Sequence, residues 1–272
     1  MNSPGPAPAV SVIARKRDLW WQFTVRSVES RYRGSYLGII WSVLNPVLML
    51  GVYYVVFGMI FKGHFRDPRV ESEVDYAMAM FLGLTLYMLV ADTLGTSPLQ
   101  IVANASLVKK VVFPLEILPL SNCGGLWFNL GIGLVLALGG SLVFGSGLSP
   151  GGILWLPVIL VPLLMLSAGL AWLFAALGVF FRDIAQVMPF VAQVVLYSSA
   201  VFFPVTRIPA DLWVILRWNP FLQTVVLARE VVLWDMPVNA AHLGYTYAVG
   251  IAVLLAGRWV FMRLRPAFAD VI

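Results

Sequence analysis

Residues 31–61, RYRGSYLGIIWSVLNPVLMLGVYYVVFGMIF, leave this chain little choice of environment. Arg31 and Arg33 close a polar lead-in, and from residue 36 to residue 61 no ionisable side chain other than tyrosine occurs. Crossing a bilayer takes about 20 consecutive apolar residues, so the stretch reads as a transmembrane helix with a basic collar. Lysine and arginine beside a span stay in the cytoplasm, which fixes the collared end on that side. The chain as a whole is 60% hydrophobic and 11% charged, against roughly 25% charged residues in soluble domains. A water-soluble fold would lack the polar groups to cover its outside, and the expected class is an all-α integral membrane protein.

Residues 1–17 contain Pro4, Pro6 and Pro8 and read as a flexible tail. They do not read as a cleaved signal, because residues 1–10 lack an apolar core and the first apolar span comes late and runs long. Residues 18–35 follow as an amphipathic helix, with Trp21, Val25, Val28 and Tyr32 on one face and Gln22, Arg26, Glu29 and Arg33 on another. Such a helix is expected to lie flat in the membrane interface, as a lipid anchor or as a contact for a partner. The single cysteine, Cys123, permits no internal disulfide and reads as a small buried side chain. His64 and His242 stand far apart without companion ligands, so no metal site is expected.

Six spans are expected, at residues 36–61, 76–102, 119–144, 153–181, 188–203 and 241–262. The first connection carries Lys62, Arg66 and Arg69 against Asp67, Glu71, Glu73 and Asp75, a balance that suits the outer side. Residues 104–118, NASLVKKVVFPLEIL, return the chain to the cytoplasm through Lys109 and Lys110, and Arg182 with Asp183 forms a tight inner turn. The segment 204–239 is apolar, yet Pro209, Pro220 and Pro237 cut it below the length of a crossing. It reads as two short half-buried helices, 209–218 and 220–232, that enter from the outside and return. Arg15, Lys16, Arg17, Arg26, Arg31, Arg33, Lys109, Lys110, Arg182, Arg258, Arg263 and Arg265 then fall inside, with half as many basic residues outside. Both termini are therefore expected in the cytoplasm. Asp92, in the second span, is a carboxylate at membrane depth, a costly placement; Thr93, Thr96 and Ser97 offer it hydrogen bonds, for packing or for a conformational role.

The order of four motifs carries a resemblance. RYRGSYLGIIWSVLNP after the amphipathic helix, the cytoplasmic NASLVKKVVFPLEILPL, the FFRDI turn and the late outer FFPVTRIPADLWVILRWNPF together resemble the permeases of polysaccharide-exporting ABC transporters. Within the ABC-2 type family the likeness is to O-antigen export permeases of the Wzm type, related to capsule and teichoic acid exporters. It covers nearly the whole chain from residue 18.

The resemblance implies a homodimeric channel in the bacterial inner membrane, driven by two Wzt-like ATP-binding subunits that hold ATP and Mg. This chain has no G-x-x-x-x-G-K-[ST] loop to cradle nucleotide phosphates, so no cofactor, catalytic residue or nucleic-acid partner is expected in it. Residues 104–118 would be the coupling helix that docks on the ATPase, with Lys109, Lys110, Phe113, Pro114 and Glu116 as contacts; the same lysines also suit a plain basic loop. The implied substrate is a long glycan on undecaprenyl pyrophosphate. Arg31 and Arg33 present planar donor forks suited to phosphate oxygens, and equally to lipid headgroups and topology. Aromatic faces can let sugars slide without a fixed hydrogen-bond pattern. Tyr53, Tyr54, Phe57 and Phe61 in the first span and Tyr197, Phe202 and Phe203 in the fifth are candidate channel walls, though such stripes also serve packing. Pro209, Trp213, Trp218 and Pro220 would frame an exit gate.

Export of capsule or teichoic acid and small-molecule efflux are the alternatives within this class. A membrane enzyme would need titratable groups clustered on one face, and an ion-coupled carrier would show internal repeats and broken spans; the acidic residues here are scattered and neither pattern is evident.

Overall fold

A computed structural model describes residues 9–34, 36–66, 70–109 and 113–272, with side chains from Lys16 onward. Pro4, Pro6, Pro8, Asp67, Arg69, Lys110 and the side chain of Arg15 lie outside the described residues. Those described form helices and no strands, as hydrocarbon demands of a chain that must satisfy its own backbone. The helices are α1 (Ala9–Tyr32), α2 (Trp41–Tyr53), α3 (Glu73–Thr96), α4 (Ala105–Val108), α5 (Ile117–Phe144), α6 (Pro150–Phe180), α7 (Ile184–Tyr197), α8 (Ala210–Leu216), α9 (Pro220–Val232), α10 (Ala240–Leu264) and α11 (Phe268–Val271).

Among the described residues, five stretches are long and apolar enough to cross a membrane: Gly38–Ile60, Glu73–Leu99, Ile117–Phe144, Pro150–Phe180 and Ala240–Val271. The expected fifth span is different. α7 starts before residue 188 and stops at Tyr197, and its 14 residues reach only about 21 Å at 1.5 Å per residue. The helix ends because Ser198 and Ser199 both turn their hydroxyls onto the Val195 carbonyl, competing with the backbone ladder, and Ala200 then takes a left-handed φ of 52°.

The first span is three helix types in series. A 3₁₀ turn, Gly38–Ile40, leads into α2, which carries Pro46 internally, and Tyr54–Ile60 is π-helical. The wide turn ends with Phe61 N–H donating to Val56 O at 3.0 Å. Such segments are rare and concentrate at functional positions.

α3 is the hub, apolar on all sides and buried along most of its length against α5, α6, α7, α9 and the π segment. A capping box starts it, Ser72 accepting from Asp75 N–H while the Asp75 carboxylate accepts from Ser72. α6 and α10 run side by side in the same direction: a Cβ on Gly250 would lie 2.7 Å from Pro162 O, and one on Gly257 only 2.0 Å from Gly169 O. Small residues allow this backbone approach where the solvent is lipid. Gly257→Leu should therefore destabilise the chain by about 1–3 kcal/mol, the cost of overpacking against atoms that cannot move; thermal unfolding in detergent measures it.

The Trp172 indole donates to Glu116 O at 3.0 Å, Gly178 abuts Pro98, and Arg265 reaches the Glu116 carboxylate. The ends of α3, α6 and α10 and the start of α5 thus share one face of the bundle. The start of α6 lies at the other, where Ser149 N–H donates to Val232 O at 3.0 Å. Between α6 and α10 the chain must travel from the first face to the second, and α7 makes the first part of that journey.

Two expectations are corrected here. α1 starts at Ala9 rather than residue 18 and packs along the first half of α5: Trp20 Nε1 donates to Leu120 O (3.1 Å), Thr24 and Ser27 sit on Gly124 and Gly125, and Tyr32 donates to Asn129 Oδ1 (3.0 Å). The glycine pair draws the helix in, so Trp20, Thr24 and Ser27 form the packed face while Trp21 and Val25 of the predicted apolar face are exposed. The two short outer helices also differ from each other. α8 is exposed, whereas α9 is core, with Phe221, Leu222, Val225, Ala228 and Val232 buried. α9 runs antiparallel to α3, its Phe221 ring near Tyr87 and its Arg229 at Ala79.

Candidate functional site

Helical spacing puts Tyr53, Phe57 and Phe61 on one side of the first span, and the turn after α7 brings Phe202 to them. Phe57 stacks on Phe202 with centroids 5.1 Å apart and on Phe61 at 5.8 Å, while Tyr53 lies 6.2 Å from Phe57 and 6.3 Å from Phe202. Tyr197 joins through Phe202 at 6.3 Å. Five of the seven candidate wall residues are therefore one continuous aromatic surface. Phe61 and Tyr197 are more than half exposed, so the surface is open at both ends. Tyr54 packs over Gly58 and Phe203 is half-buried.

Behind this surface lies an arginine that sequence reasoning counted only as an outer charge. Arg229 of α9 is 2% exposed and donates to three backbone carbonyls, from Nε to Ala79 O (2.8 Å), from Nη1 to Ala200 O (2.8 Å) and from Nη2 to Val201 O (2.7 Å). Its guanidinium also lies 4.1 Å from the Phe65 ring centroid, a favourable cation–π placement. The side chain ties α9 to α3 and to the strained turn that carries Phe202. The signal was a lone arginine in the run VVLAREVVL, where an ionisable group at membrane depth is a functional hypothesis by default.

Asn219 fixes the other end of α9. Its Oδ1 caps the Phe221 and Leu222 amides at 3.0 and 3.4 Å, and its Nδ2 donates to Ser198 and Ser199 at the end of α7. Of the candidate gate residues, Pro220 opens α9 beside this cap and Pro209 precedes α8. Trp218 packs edge-on to Tyr245 at 5.8 Å and Trp213 is half-buried on α8.

Among the described residues of the candidate coupling segment, α4, Ala105–Val108, and the start of α5 are α-helical. Lys109 is exposed beyond it, and Phe113 packs on Phe23 of α1 at 5.3 Å. Pro114 O accepts from Ile117 N–H in the turn that starts α5. Glu116 is committed within the chain: Lys16 Nζ donates to Oε1 at 2.9 Å and Arg265 Nη1 to Oε2 at 3.1 Å. Burial works to raise this carboxyl, but the Lys16 hydrogen bond and the charges of Arg265 and Lys16 outweigh it and hold it below its ordinary value of 4.5. Its stabilisation is thus present above pH 4.5 and lost as pH falls through the lowered folded value. Glu116→Gln should cost about 1–2 kcal/mol at pH 7, a modest figure because Lys16 is half exposed. The difference in melting temperature from the parent should vanish once acid has protonated the carboxylate.

Arg31 is likewise engaged, its Nη1 donating to Asp92 Oδ2 at 3.1 Å. This corrects the partners expected for Asp92. Thr93, Thr96 and Ser97 instead bond the carbonyls one turn earlier in α3. Arg33 is exposed, as are Arg182 and Asp183 in the turn between α6 and α7, and Cys123 is buried with its thiol 3.8 Å from Ser167 O.

A bundle of apolar helices with an amphipathic leader, a basic turn between the second and third long helices and a buried return helix before the last defines a multi-pass membrane protein of transporter type. Residues 18–233 match the ABC-2 type transporter family, and the chain belongs to it. It is similar to an O-antigen export system permease protein, RfbA, of Klebsiella pneumoniae, 26% identical over 94% of this chain and 95% of the relative. RfbA of Myxococcus xanthus is 26% identical over 93% and 95%, respectively. The polysialic acid transport protein KpsM of Escherichia coli is 23% identical over 86% and 88%.

Proposed function

We propose that the chain is the permease subunit of an ABC transporter that exports O-antigen polysaccharide, linked to undecaprenyl pyrophosphate, across a bacterial inner membrane. The observation that carries this reading is similarity over nearly the full length to O-antigen export permeases. A homodimer with two ATP-binding subunits is the working assembly, the ATP and Mg being held by those subunits. The first span supports pairing of copies, since it is long and apolar yet almost unburied within one chain.

The topology is six crossings with both termini cytoplasmic. α7, the turn after it and the α8–α9 hairpin act together as the short crossing, which agrees with α6 and α10 ending on one face. Lys109, Lys110 and Phe113 are then the contacts for the ATPase, and Glu116 braces that turn against α1 and the end of α10 rather than docking itself. Arg33 is the cation left to meet pyrophosphate near the inner face. The aromatic surface of Tyr53, Phe57, Phe61, Tyr197 and Phe202 is the sugar-facing wall, and the α8–α9 hairpin gates the exit.

Deleting the gene should abolish surface O-antigen, and the intact chain should restore it; loss of capsule with O-antigen unchanged would favour the second reading, capsule export, which the similarity to KpsM supports. Lys109→Glu with Lys110→Glu should weaken co-purification of the ATP-binding subunit severalfold. Undiminished association would remove those lysines from the docking surface.

A further inference from the structure

A cavity of 610 Å³ separates the first span from the wall made by α3 and α5, well within the roughly 300–1,000 Å³ of ligand clefts. Pro46, Met49, Leu84, Met88, Leu126 and Leu130 make its walls apolar. Its mouth is charged. The Arg31–Asp92 pair stands there, the two side chains 35% and 40% exposed, with Tyr32 and Asn129 hydrogen-bonded beside it.

Along α3 the lining runs from Asp92 to Phe81, roughly 16 Å at 1.5 Å per residue. That is about half of the ~30 Å hydrocarbon core, one leaflet deep. A greasy slot of this depth with polar groups at one end matches an amphiphile standing along the membrane normal. The charges select its headgroup. A purely anionic phosphate would gain Arg31 but meet the Asp92 carboxylate, whereas a headgroup with both phosphate and ammonium gives each side chain its opposite.

We propose that this cavity holds one zwitterionic phospholipid, its phosphate on Arg31, its ammonium on Asp92 and an acyl chain between α2 and α3. The lipid completes the packing of the first span. It is a resident component, separate from the exported glycan, although Tyr53, at the end of the cavity away from the charged mouth, also borders the aromatic surface.

The test uses the full-length chain, purified in mild detergent, stripped of lipid and offered equimolar phosphatidylethanolamine and phosphatidylglycerol, with bound lipid counted by native mass spectrometry. One phosphatidylethanolamine should be retained per chain in preference to phosphatidylglycerol. Arg31→Gln and Asp92→Asn should each lower retention about tenfold, the size of one lost charge-assisted hydrogen bond. Met88→Trp, which fills the slot and leaves both charges, should also lose the lipid. The exchanged pair Arg31→Asp with Asp92→Arg should retain it, separating a specific loss from a misfolded single variant. Preference for phosphatidylglycerol that survives Asp92→Asn would make this a plain anion site and overturn the proposal. Retention unchanged in every variant, or no retention at all, would overturn it too. Because lipid and not export is read, failure here leaves the export reading standing, and failure of that reading leaves this one.

Discussion

Arg229→Leu should lower glycan export by about tenfold or more while the chain still reaches the membrane. The substitution removes a buried charge, which relieves a desolvation cost, so the outcome depends on what the guanidinium leaves behind. Ala79 O belongs to α3 and keeps its helical partner. Ala200 O and Val201 O lie in the turn after α7, outside any helix, and Arg229 is the donor they have. Two orphaned carbonyls at roughly 1–3 kcal/mol each add to the cost of holding Ala200 at a φ of 52°, a conformation already unfavourable for a residue with a Cβ. The turn should relax, and Phe202 should leave Phe57. Arg229→Lys should recover little, since an ammonium cannot reproduce a planar fork across three carbonyls. Ala200→Gly added to Arg229→Leu should restore part of the loss by removing the strain. Surface glycan and protease sensitivity of residues 198–203 report the two effects together; wild-type export from Arg229→Leu would show the turn holds without it.

The second large effect is expected from the aromatic surface. Tyr53→Ala with Phe57→Ala should cut export about tenfold, with Phe202→Ala alone a few-fold, from aromatic pairs contributing about 0.5–1.5 kcal/mol each beyond their burial. The exposed ends at Phe61 and Tyr197 allow the surface to be occupied by something that moves along it. Association with the ATP-binding subunit should be unaffected, because these residues lie far along the first span from Glu116 and Lys109. Unchanged export would leave the surface a packing element only.

Much of this was legible in the sequence because lipid imposes a simple rule, an apolar run of sufficient length. The bounds of α5, α6 and α10 fall within three residues of expectation for that reason, whereas α3 stops at Thr96, six residues before the expected end of the second span. The aromatic grouping was legible too, since helical spacing aligns Tyr53, Phe57 and Phe61, but the meeting with Phe202 depends on a turn that no periodicity encodes. α7 was read too long because Tyr197 to Phe203 is uniformly apolar or small, and the two serines that end the helix do so by a local hydroxyl competition. The partners of Arg31, Glu116 and Arg229 were not legible. Each lies on a distant segment, 61 residues away for Asp92, 100 and 149 for Lys16 and Arg265, and 150 for Ala79, and hydropathy carries no information about such pairings. The packed face of α1 was read only in part, Val28 and Tyr32 facing α5 while Trp21 and Val25 do not, because glycines on α5, silent in a hydrophobicity pattern, decide which side approaches.

The contact of Gly169 with Gly257 divides labour within the chain. With carbonyls lodged where side chains would otherwise be, α6 and α10 leave each other no clearance at Gly250 and Gly257, and the pair is expected to move as one body. Under the proposed function, displacement imposed by the ATP-binding subunits is expected to fall on Gly38–Ile60, which ends in the wide π turn Tyr54–Ile60 and is almost unburied within one chain, so disulfide tethers between α6 and α10 should be harmless and tethers from Gly38–Ile60 to α3 should stall export.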